Sequence, residues 1–252
     1  MAWQTPKTDW STEDGVLNSD FNRIEGNLQY LYDKMPSQAE ASITRYVTTT
    51  GNDTTGDGTA AAPFRTIQKA LDNVPKSLGG NNLTISCSSG TYDGFSITNY
   101  TGGVVSIISA GADVYINGSI VVENCDVVSI TGFGAFIIYG YFMVKNSILL
   151  STDNVTISNS SGRGLVVEQS KVAFTYALSI TSAASASGIL ADYNSDVFIE
   201  SCLIMPGTGT GITVDRGGKV AYSNISNRAT VETQAARGGR IYTGSLGGIG
   251  GL

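Results

Sequence analysis

The sequence carries a short pattern that recurs at nearly regular intervals through its middle and end. In each copy an apolar run ends at a charged residue, two or three small or amide residues follow, and a second β-rich run begins on Val or Leu. The second runs begin, 22 to 25 residues apart, at Val104, Val127, Leu149, Val172, Val197 and Val220. A repeat of this length is too small to bury its own apolar face and buries it against its neighbours, which is typical of a solenoid.

The composition of one repeat indicates strands rather than helices. Val, Ile, Phe and Tyr alternate with polar residues in three runs per repeat, for example at 121–122, 127–130 and 135–139. Gly, Asn, Ser and Asp, which accept the dihedral angles of tight turns, separate these runs. The pattern predicts a right-handed parallel β-helix with three strands per coil over residues 83–244. We expect about seven coils, beginning at Leu83, Val104, Val127, Leu149, Val172, Val197 and Val220.

Stacked coils place equivalent residues above one another, so each position of the repeat becomes a column. The first column is mainly charged and contains Asn99, Glu123, Lys145, Glu168, Asp192 and Asp215. The second is predicted to be a ladder of hydrogen-bonded amides, namely Asn124, Asn146, Gln169 and Asn194. The third contains Asp126, Ile148, Lys171, Asp196 and Lys219. Its last three residues alternate in charge, which suits exposed neighbours on adjacent strands, and we interpret the second and third columns as structural.

Composition argues against several classes of function. The 252 residues carry a net charge of −6 and no histidine, without the basic stripe that nucleic-acid binding requires. No apolar run is long enough to span a bilayer, and the first residues lack the pattern of a secretion signal, so we expect a soluble chain that is neither inserted in a membrane nor secreted. Cys87, Cys125 and Cys202 are predicted to be buried free thiols, and no metal site or cofactor is expected.

Residues 1–42 differ from the repeats and are predicted to form an attachment region. Apolar residues at a 4-3 spacing predict a helix over 17–35 with a heptad seam formed by Leu17, Phe21, Ile24, Leu28, Leu31 and Met35. This helix is expected to self-associate; an amphipathic helix that lies on its own domain or on another protein is the alternative. Ahead of the helix, Trp3 and Trp10 lie in an aromatic arm. Because Trp often anchors interfaces, this arm is predicted to dock on a partner.

Residues 43–82 are predicted to cover the first coil. A strand at 45–48 is followed by a turn-rich loop at 51–63 and by a short helix that begins near Thr66 and ends before Pro75. A β-helix needs such a cap, because its first coil would otherwise expose apolar core and an unpaired strand edge. Asp53 and Asp57 in the loop lack the oxygen pattern of a defined calcium loop, so turn formation is favoured over calcium binding.

Two segments of the chain resemble known families. The segment YVTTTGNDTTGDGTAAAPFRTIQKALDNVPK at 46–76 resembles the entry segment of pectate-lyase-like right-handed β-helices, particularly those of phage tail spikes and tail appendages. The pattern W-x-x-P-x-x-D-W at 3–10, with FNRIEGNLQYL at 21–31, is similar to the N-terminal region of baseplate or tail proteins of phages and prophages of Gram-positive bacteria. The first motif is specific for fold and weak for activity, and the second is more specific for a tail-associated context.

The resemblance implies a homotrimeric virion protein of the tail or baseplate, assembled in the cytoplasm of the host bacterium. Residues 1–35 would attach it to other tail proteins, and the β-helix would face the host surface. The attachment residues would be Trp3, Trp10, Phe21, Ile24, Leu28 and Leu31. A host cell-wall glycan is a further partner that the resemblance allows. Residues 245–252 form a separate Gly-rich tail.

The resemblance also raises the question of catalysis. Tail spikes of this fold often cleave host polysaccharide with pairs of acidic residues, and Glu168, Asp192 and Asp215 would stand one coil apart, about 4.8 Å, near the separation in a retaining glycosidase. No coil carries a long insertion that would wall a cleft, so we expect a non-enzymatic structural or receptor-binding appendage, with a polysaccharide-degrading tail spike as the alternative. Aromatic side chains are common sugar platforms, so Tyr139 and Tyr141 are the candidate ligand-binding residues, with burial in the core as the other interpretation.

Overall fold

The computed structural model describes residues 4–8, 10–11, 13–34, 37–109, 112–159, 163–182, 188–206, 211–225 and 233–243 of the chain. Trp3, Met35 and the Gly-rich tail at 245–252 lie outside the described residues. The chain divides into two compact units, one from Met1 to Ser37 and one from Gln38 to Leu252.

The first unit contains the predicted helix, α1, which runs from Asn18 to Lys34. Its first turn is closed by Asp20, whose carboxylate accepts a hydrogen bond of 3.0 Å from the backbone N–H of Leu17. The same carboxylate pairs with Arg23 at 3.0 Å, so the acidic residue sits where the positive end of the helix dipole favours it.

The second unit contains the short helix α2, Ile67–Asp72, and a series of strands that are all paired in parallel. In chain order the strands are β1 (Ile43–Val47), β2 (Asn82–Cys87), β3 (Gly90–Thr98), β4 (Val104–Ile108), β5 (Val114–Glu123), β6 (Val127–Thr131), β7 (Phe136–Ile138), β8 (Phe142–Lys145), β9 (Ile148–Ser151), β10 (Val155–Asn159), β11 (Leu165–Glu168), β12 (Lys171–Ser182), β13 (Ile189–Asp192), β14 (Asp196–Pro206), β15 (Ile212–Val214), β16 (Lys219–Ile225), β17 (Thr233–Ala235) and β18 (Arg240–Thr243).

The strands form three stacks, and each coil of the chain contributes one segment to each stack. Stack 1 consists of β1, β2, β4, β6, β9, the first part of β12, the first part of β14, the first part of β16, and β18. Stack 2 begins with the first parts of β3 and β5 and continues through β7, β10 and the last parts of β12, β14 and β16. Stack 3 consists of the last parts of β3 and β5, then β8, β11, β13, β15 and β17. The predicted right-handed parallel β-helix with three strands per coil is thereby confirmed.

The core fills the space that the three stacks enclose, because alternate residues of every strand point inward. The inward residues are almost entirely apolar and fully buried, as Leu83, Ile116, Phe142 and Val172 illustrate. Neighbouring coils place these side chains directly above one another, so no single coil has a core of its own. The shaft is therefore stabilised by contacts between coils rather than within them.

The predicted register is wrong by one residue in two coils. Leu149 pairs with Val128 and not with Val127, and Val128 in turn pairs with Val105 and not with Val104. Two apolar residues stand side by side at both places, so periodicity alone does not distinguish the buried one. The physical cause is the length of the turn before stack 1. The buried residue Val128 lies five positions after Glu123, the end of the preceding strand, whereas Leu149 lies only four positions after Lys145, the equivalent strand end of the next coil.

Helix α2 and the loop before it pack at the N-terminal end of the shaft. Helix α2 begins at the N-cap residue Thr66, whose hydroxyl accepts a 3.2 Å hydrogen bond from the Lys69 N–H, and it buries Ile67, Ala70 and Leu71. The outer edge of β1 is paired with the loop that follows it: the Phe64 N–H donates to the Tyr46 carbonyl, and the Phe64 carbonyl accepts from the Thr48 N–H. The first strand edge therefore has its hydrogen-bonding groups satisfied.

The two aspartates of the capping loop hold backbone groups. The Asp53 carboxylate accepts hydrogen bonds from the backbone N–H groups of Arg65 and Thr66 at 2.8 and 3.1 Å, and from the Thr66 hydroxyl at 2.7 Å. Asp57 accepts from the Thr59 N–H at 2.9 Å. Asp57 thus forms the local turn that the sequence favours, whereas Asp53 joins the loop to the start of α2.

A charge placed inside the shaft tests this packing. Val172 is 2% exposed and lies between coils, so we expect Val172→Asp to lower the free energy of unfolding by at least about 3 kcal/mol, because the carboxylate has no partner there. Ser179→Asp, on the outward face of the same strand, is the matched control. Urea denaturation followed by circular dichroism gives both values; equal midpoints for the two variants would contradict the inward orientation of Val172.

Candidate functional site

The turn that joins stack 3 to stack 1, here called the left-handed corner, has the same backbone conformation in successive coils. The residue at the equivalent place just after the stack 3 strand has a positive φ, between 43° and 61°, in each of these turns, and these residues are Asn99, Asn124, Asn146, Gln169, Tyr193, Arg216 and Arg237; Asn194, after Tyr193, also has a positive φ. Asn adopts this conformation more readily than other residues with a side chain, so its recurrence here has a local cause.

Part of the predicted amide ladder lies at this corner, whereas Asn194 stands one residue beyond its predicted place, which Tyr193 occupies. The Asn146 side chain donates to the Asn124 side chain at 3.0 Å, and Asn124 donates to Asn99 at 3.3 Å. Asn99 therefore belongs to the amide column and not to the charged column in which the sequence placed it. Thr98, one residue earlier, is the true partner of Glu123.

A second ladder, of buried serines, lies beneath the amides. The hydroxyl of Ser147 accepts from the Cys125 N–H at 2.9 Å, that of Ser170 accepts from the Ser147 N–H at 3.1 Å, and that of Ser195 accepts from the Ser170 N–H at 3.5 Å. Each hydroxyl also donates to a carbonyl of its own corner, as Ser170 does to Glu168 at 2.7 Å. The serines satisfy backbone groups that the turn would otherwise bury without partners. The recurring pairs Asn-Ser, Gln-Ser and Asn-Ser at 146–147, 169–170 and 194–195 are the pattern that predicts them.

The carboxylates of the alternative, catalytic interpretation lie at the ends of the stack 3 strands, just before this corner. Glu168 and Asp192 are direct neighbours on adjacent coils, in the column that also pairs Lys145 with Glu123 through a 3.3 Å ion pair. Asp192 is buried, and the Arg216 guanidinium lies 3.5 Å from its carboxylate. The structure brings this acidic column together as a line along the shaft.

Asp215 is held by an arginine from the next coil. The Arg237 side chain donates to both oxygens of the Asp215 carboxylate, with the Nε contact at 2.9 Å. The backbone N–H of Arg216 adds a 2.8 Å hydrogen bond to the same group. The Arg237 guanidinium and this N–H hold the pKa of Asp215 below its ordinary value of 3.8. A general acid needs a raised pKa, so the shift runs opposite to the one that acid catalysis would use.

Arg216 and Arg237 are site residues that the sequence reasoning missed. They occupy the left-handed position of the corner in the last coils, where earlier coils have an amide. Their side chains reach back to carboxylates of the preceding turns, and Arg216 also lies over the Tyr193 ring at 4.1 Å. The sequence Arg-Gly-Gly at 216–218 and again at 237–239 is the repeat that could have revealed them.

An open groove of about 390 Å³ follows the left-handed corner through the middle coils. Its lining residues are amides, serines and charged residues, namely Asn146, Gln169, Asn194, Ser147, Ser170, Asp126, Lys171 and Asp196, together with Cys125 and Ile148. Lys171, Asp196 and Lys219 are neighbours in stack 1, as the third column predicts, and Lys219 pairs with Asp196 at 3.3 Å. Asp126 stands outside this column, because the pairing of Val128 with Leu149 places Val127 opposite Ile148; the Asp126 carboxylate accepts from the Gly102 N–H at 2.6 Å.

Tyr139 and Tyr141 flank the corner that joins stack 2 to stack 3. They are 50% and 40% exposed, whereas Phe136 and Phe142 on either side are fully buried. Gly140 between them lies so close to the coil below that a Cβ there would come within 2.4 Å of the Gly118 carbonyl oxygen. The tight corner turns both tyrosine rings outward, which leaves them available to a ligand.

The apolar seam of α1 is the largest exposed apolar feature of the first unit. Between 49% and 63% of each of its side chains is exposed, at Leu17, Phe21, Ile24, Leu28 and Leu31. The flank beside this seam is already occupied: Asn27 is buried, accepts from the Gln4 N–H at 2.8 Å, and donates to the Gln4 carbonyl at 2.7 Å. The N-terminal arm therefore binds the helix at Asn27 and leaves the seam open.

Trp10 is held at the surface of the arm by its neighbours. Its indole N–H donates to the Lys7 carbonyl at 2.9 Å, and the Lys7 ammonium lies 4.5 Å from the ring centroid. Asp14 accepts from the Ser11 N–H at 2.8 Å and from Lys7 at 3.0 Å, and these contacts lower the pKa of its carboxyl. Trp10 remains 42% exposed in this arrangement. A ring that is fixed and exposed loses little conformational freedom when it meets a partner.

The described part of the chain contains no group of three or more His, Cys, Asp or Glu side chains placed to hold a metal ion. Within the same residues, neither helix is long and apolar enough to cross a membrane. Comparison with known proteins found no family model, no curated protein and no solved structure that matches the chain.

The pairing of Asp215 with Arg237 has a consequence for stability at low pH. A carboxyl whose pKa is lowered on folding stabilises the protein above its ordinary pKa of 3.8, and this contribution is lost as the pH falls through the lowered pKa. We expect Asp215→Asn to be less stable than the wild type at neutral pH, with a difference that shrinks below pH 3.8. Thermal unfolding at several pH values measures this. Asp93→Asn removes an exposed carboxylate from β3 and serves as control; the same pH profile in both variants would contradict a stabilising ion pair.

Proposed function

We propose that this chain is a non-enzymatic appendage of a phage tail or phage-tail-like particle, which self-associates through α1 and presents its β-helix to the host surface. The observation that carries the proposal is the open apolar seam of α1, in a chain whose second unit is a regular β-helix. A helix with one such seam is stable in water only when the seam is covered, so we expect a partner to bind there.

Identical copies of α1 fit this seam best. The 4-3 spacing places Phe21 and Leu28 at one core position of a heptad and Leu17, Ile24 and Leu31 at the other, so each copy offers the same surface to its neighbours. Gly26 in the middle of the helix costs about 1 kcal/mol relative to Ala, which makes the isolated helix weaker and association more important. The number three comes from the resemblance to tail appendages, and we propose a homotrimer with parallel shafts.

The N-terminal arm, which contains Trp3 and Trp10, is proposed to bind the tail. Trp10 is fixed and exposed, and Trp3 belongs to the same motif. With the arm bound to other tail or baseplate proteins, the protein would be part of the virion, assembled in the host bacterial cytoplasm. The exposed pair Tyr139 and Tyr141 is then the surface proposed to contact a host cell-wall glycan.

Solution mass tests self-association through α1. We expect the full-length chain to be a trimer at micromolar concentration in multi-angle light scattering, and Leu28→Glu to raise the dissociation constant by at least about tenfold, because it places a charge in the seam. Asn22→Glu adds the same charge to an exposed position outside the seam and should leave the mass unchanged. A monomeric wild-type chain would refute the proposal.

Association with particles tests the proposed location. Mass spectrometry of tail particles purified from the encoding strain should detect the chain in a constant ratio to the other tail proteins. Its absence from purified particles would refute the virion assignment even if the chain is trimeric. Release of reducing ends from host wall polysaccharide, lost in Asp192→Asn, would instead favour a degrading spike.

A further inference from the structure

The C-terminal end of the shaft is open in the described residues. β17 pairs with β15 and β18 pairs with β16, and within the described part of the chain neither has a strand on its other side. Ala235 belongs to the column of Ala191 and Val214, which are fully buried, yet Ala235 itself is exposed. Ile241 is only partly buried, although its neighbour Val220 is fully buried. Apolar core and unpaired strand edges at one place need a cover.

The register of the last strands fixes where the chain would next enter stack 2. In stack 1, Tyr222 pairs with Thr243. Ile225, three residues after Tyr222, pairs with Cys202 in a column of stack 2 whose earlier members are fully buried and point inward. The residue three positions after Thr243 is Leu246. The register therefore assigns Leu246 to the inward column of stack 2.

The residues from 246 onward repeat the spacing of the tight corner between stacks 2 and 3. Two coils form this corner over residues 114–120 and 136–142, with a fully buried apolar residue at each end. The fifth residue of both is a glycine, and a Cβ on Gly140 would come within 2.4 Å of the Gly118 carbonyl oxygen. Residues 246–252, with the sequence LGGIGGL, have the same length, an apolar residue at each end and glycine at the fifth position. The segment therefore fits the corner that the earlier coils use.

We infer that residues 244–252 close this end of the shaft as a further partial coil, which passes through stack 2 and the tight corner to the start of stack 3. Leu246 then lies on Ile225, and Leu252 lies on Thr233, the last described member of its core column. The added strand pairs with the outer edge of stack 2. This inference does not depend on the proposed function, because it concerns only the second unit of the chain.

The composition of the segment suits this position. It has no charged side chain, and its glycines accept the dihedral angles of a tight corner. Gly248 takes the place of Ile116 and Ile138, so the closing layer fills less of the core than the coils before it. Leu246 and Leu252 therefore supply most of the apolar cover.

The backbone of the closing layer pairs by the rule of the earlier coils. The Val114 N–H donates at 2.8 Å to the carbonyl of Ala135, the residue before its strand partner. By the same rule the Ile225 N–H donates to the Ser245 carbonyl. This hydrogen bond gives the inference a measurable consequence at Ile225, because a bonded amide exchanges its hydrogen slowly with solvent.

Hydrogen exchange of the full-length protein, followed by mass spectrometry, tests the cover. We expect the Ile225 amide to be protected in the wild type and to exchange at least about tenfold faster in Leu246→Asp, because a carboxylate does not enter the core column. Ser245→Asp adds the same charge at the neighbouring outward position and should change the rate by less than about twofold. Equal rates in the wild type and Leu246→Asp overturn the inference. Protection of Ile225 that disappears on dilution of the wild type also overturns it, because a second copy would then cover the end.

Paired cysteines in the full-length chain test the register. The closing layer places Ser245 beside Asn224 on the adjacent coil, about 4.8 Å away, which is within the range that a disulfide spans. Asn224→Cys with Ser245→Cys should therefore form a disulfide within one chain on mild oxidation, as non-reducing mass analysis would show. Asn224→Cys with Gly247→Cys is offset by two residues, about 8 Å, and should remain reduced. Equal disulfide yields in the two pairs refute the register, and they leave the proposed self-association through α1 untouched.

Discussion

The structure depends on the hydrogen bonds that each strand forms with the coil above and the coil below. A coil of this size encloses one layer of side chains, which water would reach from both ends if the coil stood alone. Parallel pairing in all three stacks closes these ends and sets the spacing of about 4.8 Å at which every side-chain column repeats. The amide ladder, the serine ladder and the acidic column all exist because this spacing lies within reach of their side chains.

The left-handed corner shows how one backbone conformation supports different chemistry along the shaft. In the early coils Asn99, Asn124 and Asn146 satisfy one another through their side-chain amides. In the last coils Arg216 and Arg237 occupy the same conformation and neutralise Asp192 and Asp215. The carboxylates that a sugar-cleaving enzyme would need are thus occupied by structural ion pairs at this end of the protein. The exposed seam of α1 and the exposed tyrosines Tyr139 and Tyr141 remain open, which agrees with proposals based on binding.

Much of the fold could be predicted from the sequence because the pattern repeats. The column of Glu123, Lys145, Glu168 and Asp192 has the predicted register, since each residue ends an apolar run of equal length. The register failed at Val104 and Val127, where adjacent valines offer two equally apolar choices and a longer turn selects the second. The repeated Arg-Gly-Gly marks Arg216 and Arg237, but the carboxylates that they bind could not be predicted from it, because these contacts depend on long side chains that reach from one coil to another.

The left-handed corner also varies in length without disturbing the stacks that it connects. Thr98, Glu123 and Glu168 end equivalent strands of stack 3, and Val105, Val128 and Val172 are the equivalent buried residues of stack 1. The number of residues between the strand end and the buried residue differs in each case, yet the buried residues occupy equivalent positions in the core. Extra residues are accommodated within the turn itself, as in the longest passage, where Tyr100 is buried and its hydroxyl donates to the Leu71 carbonyl of α2. This corner is therefore a natural place to graft a foreign peptide, which the shaft would carry at a defined height along its length.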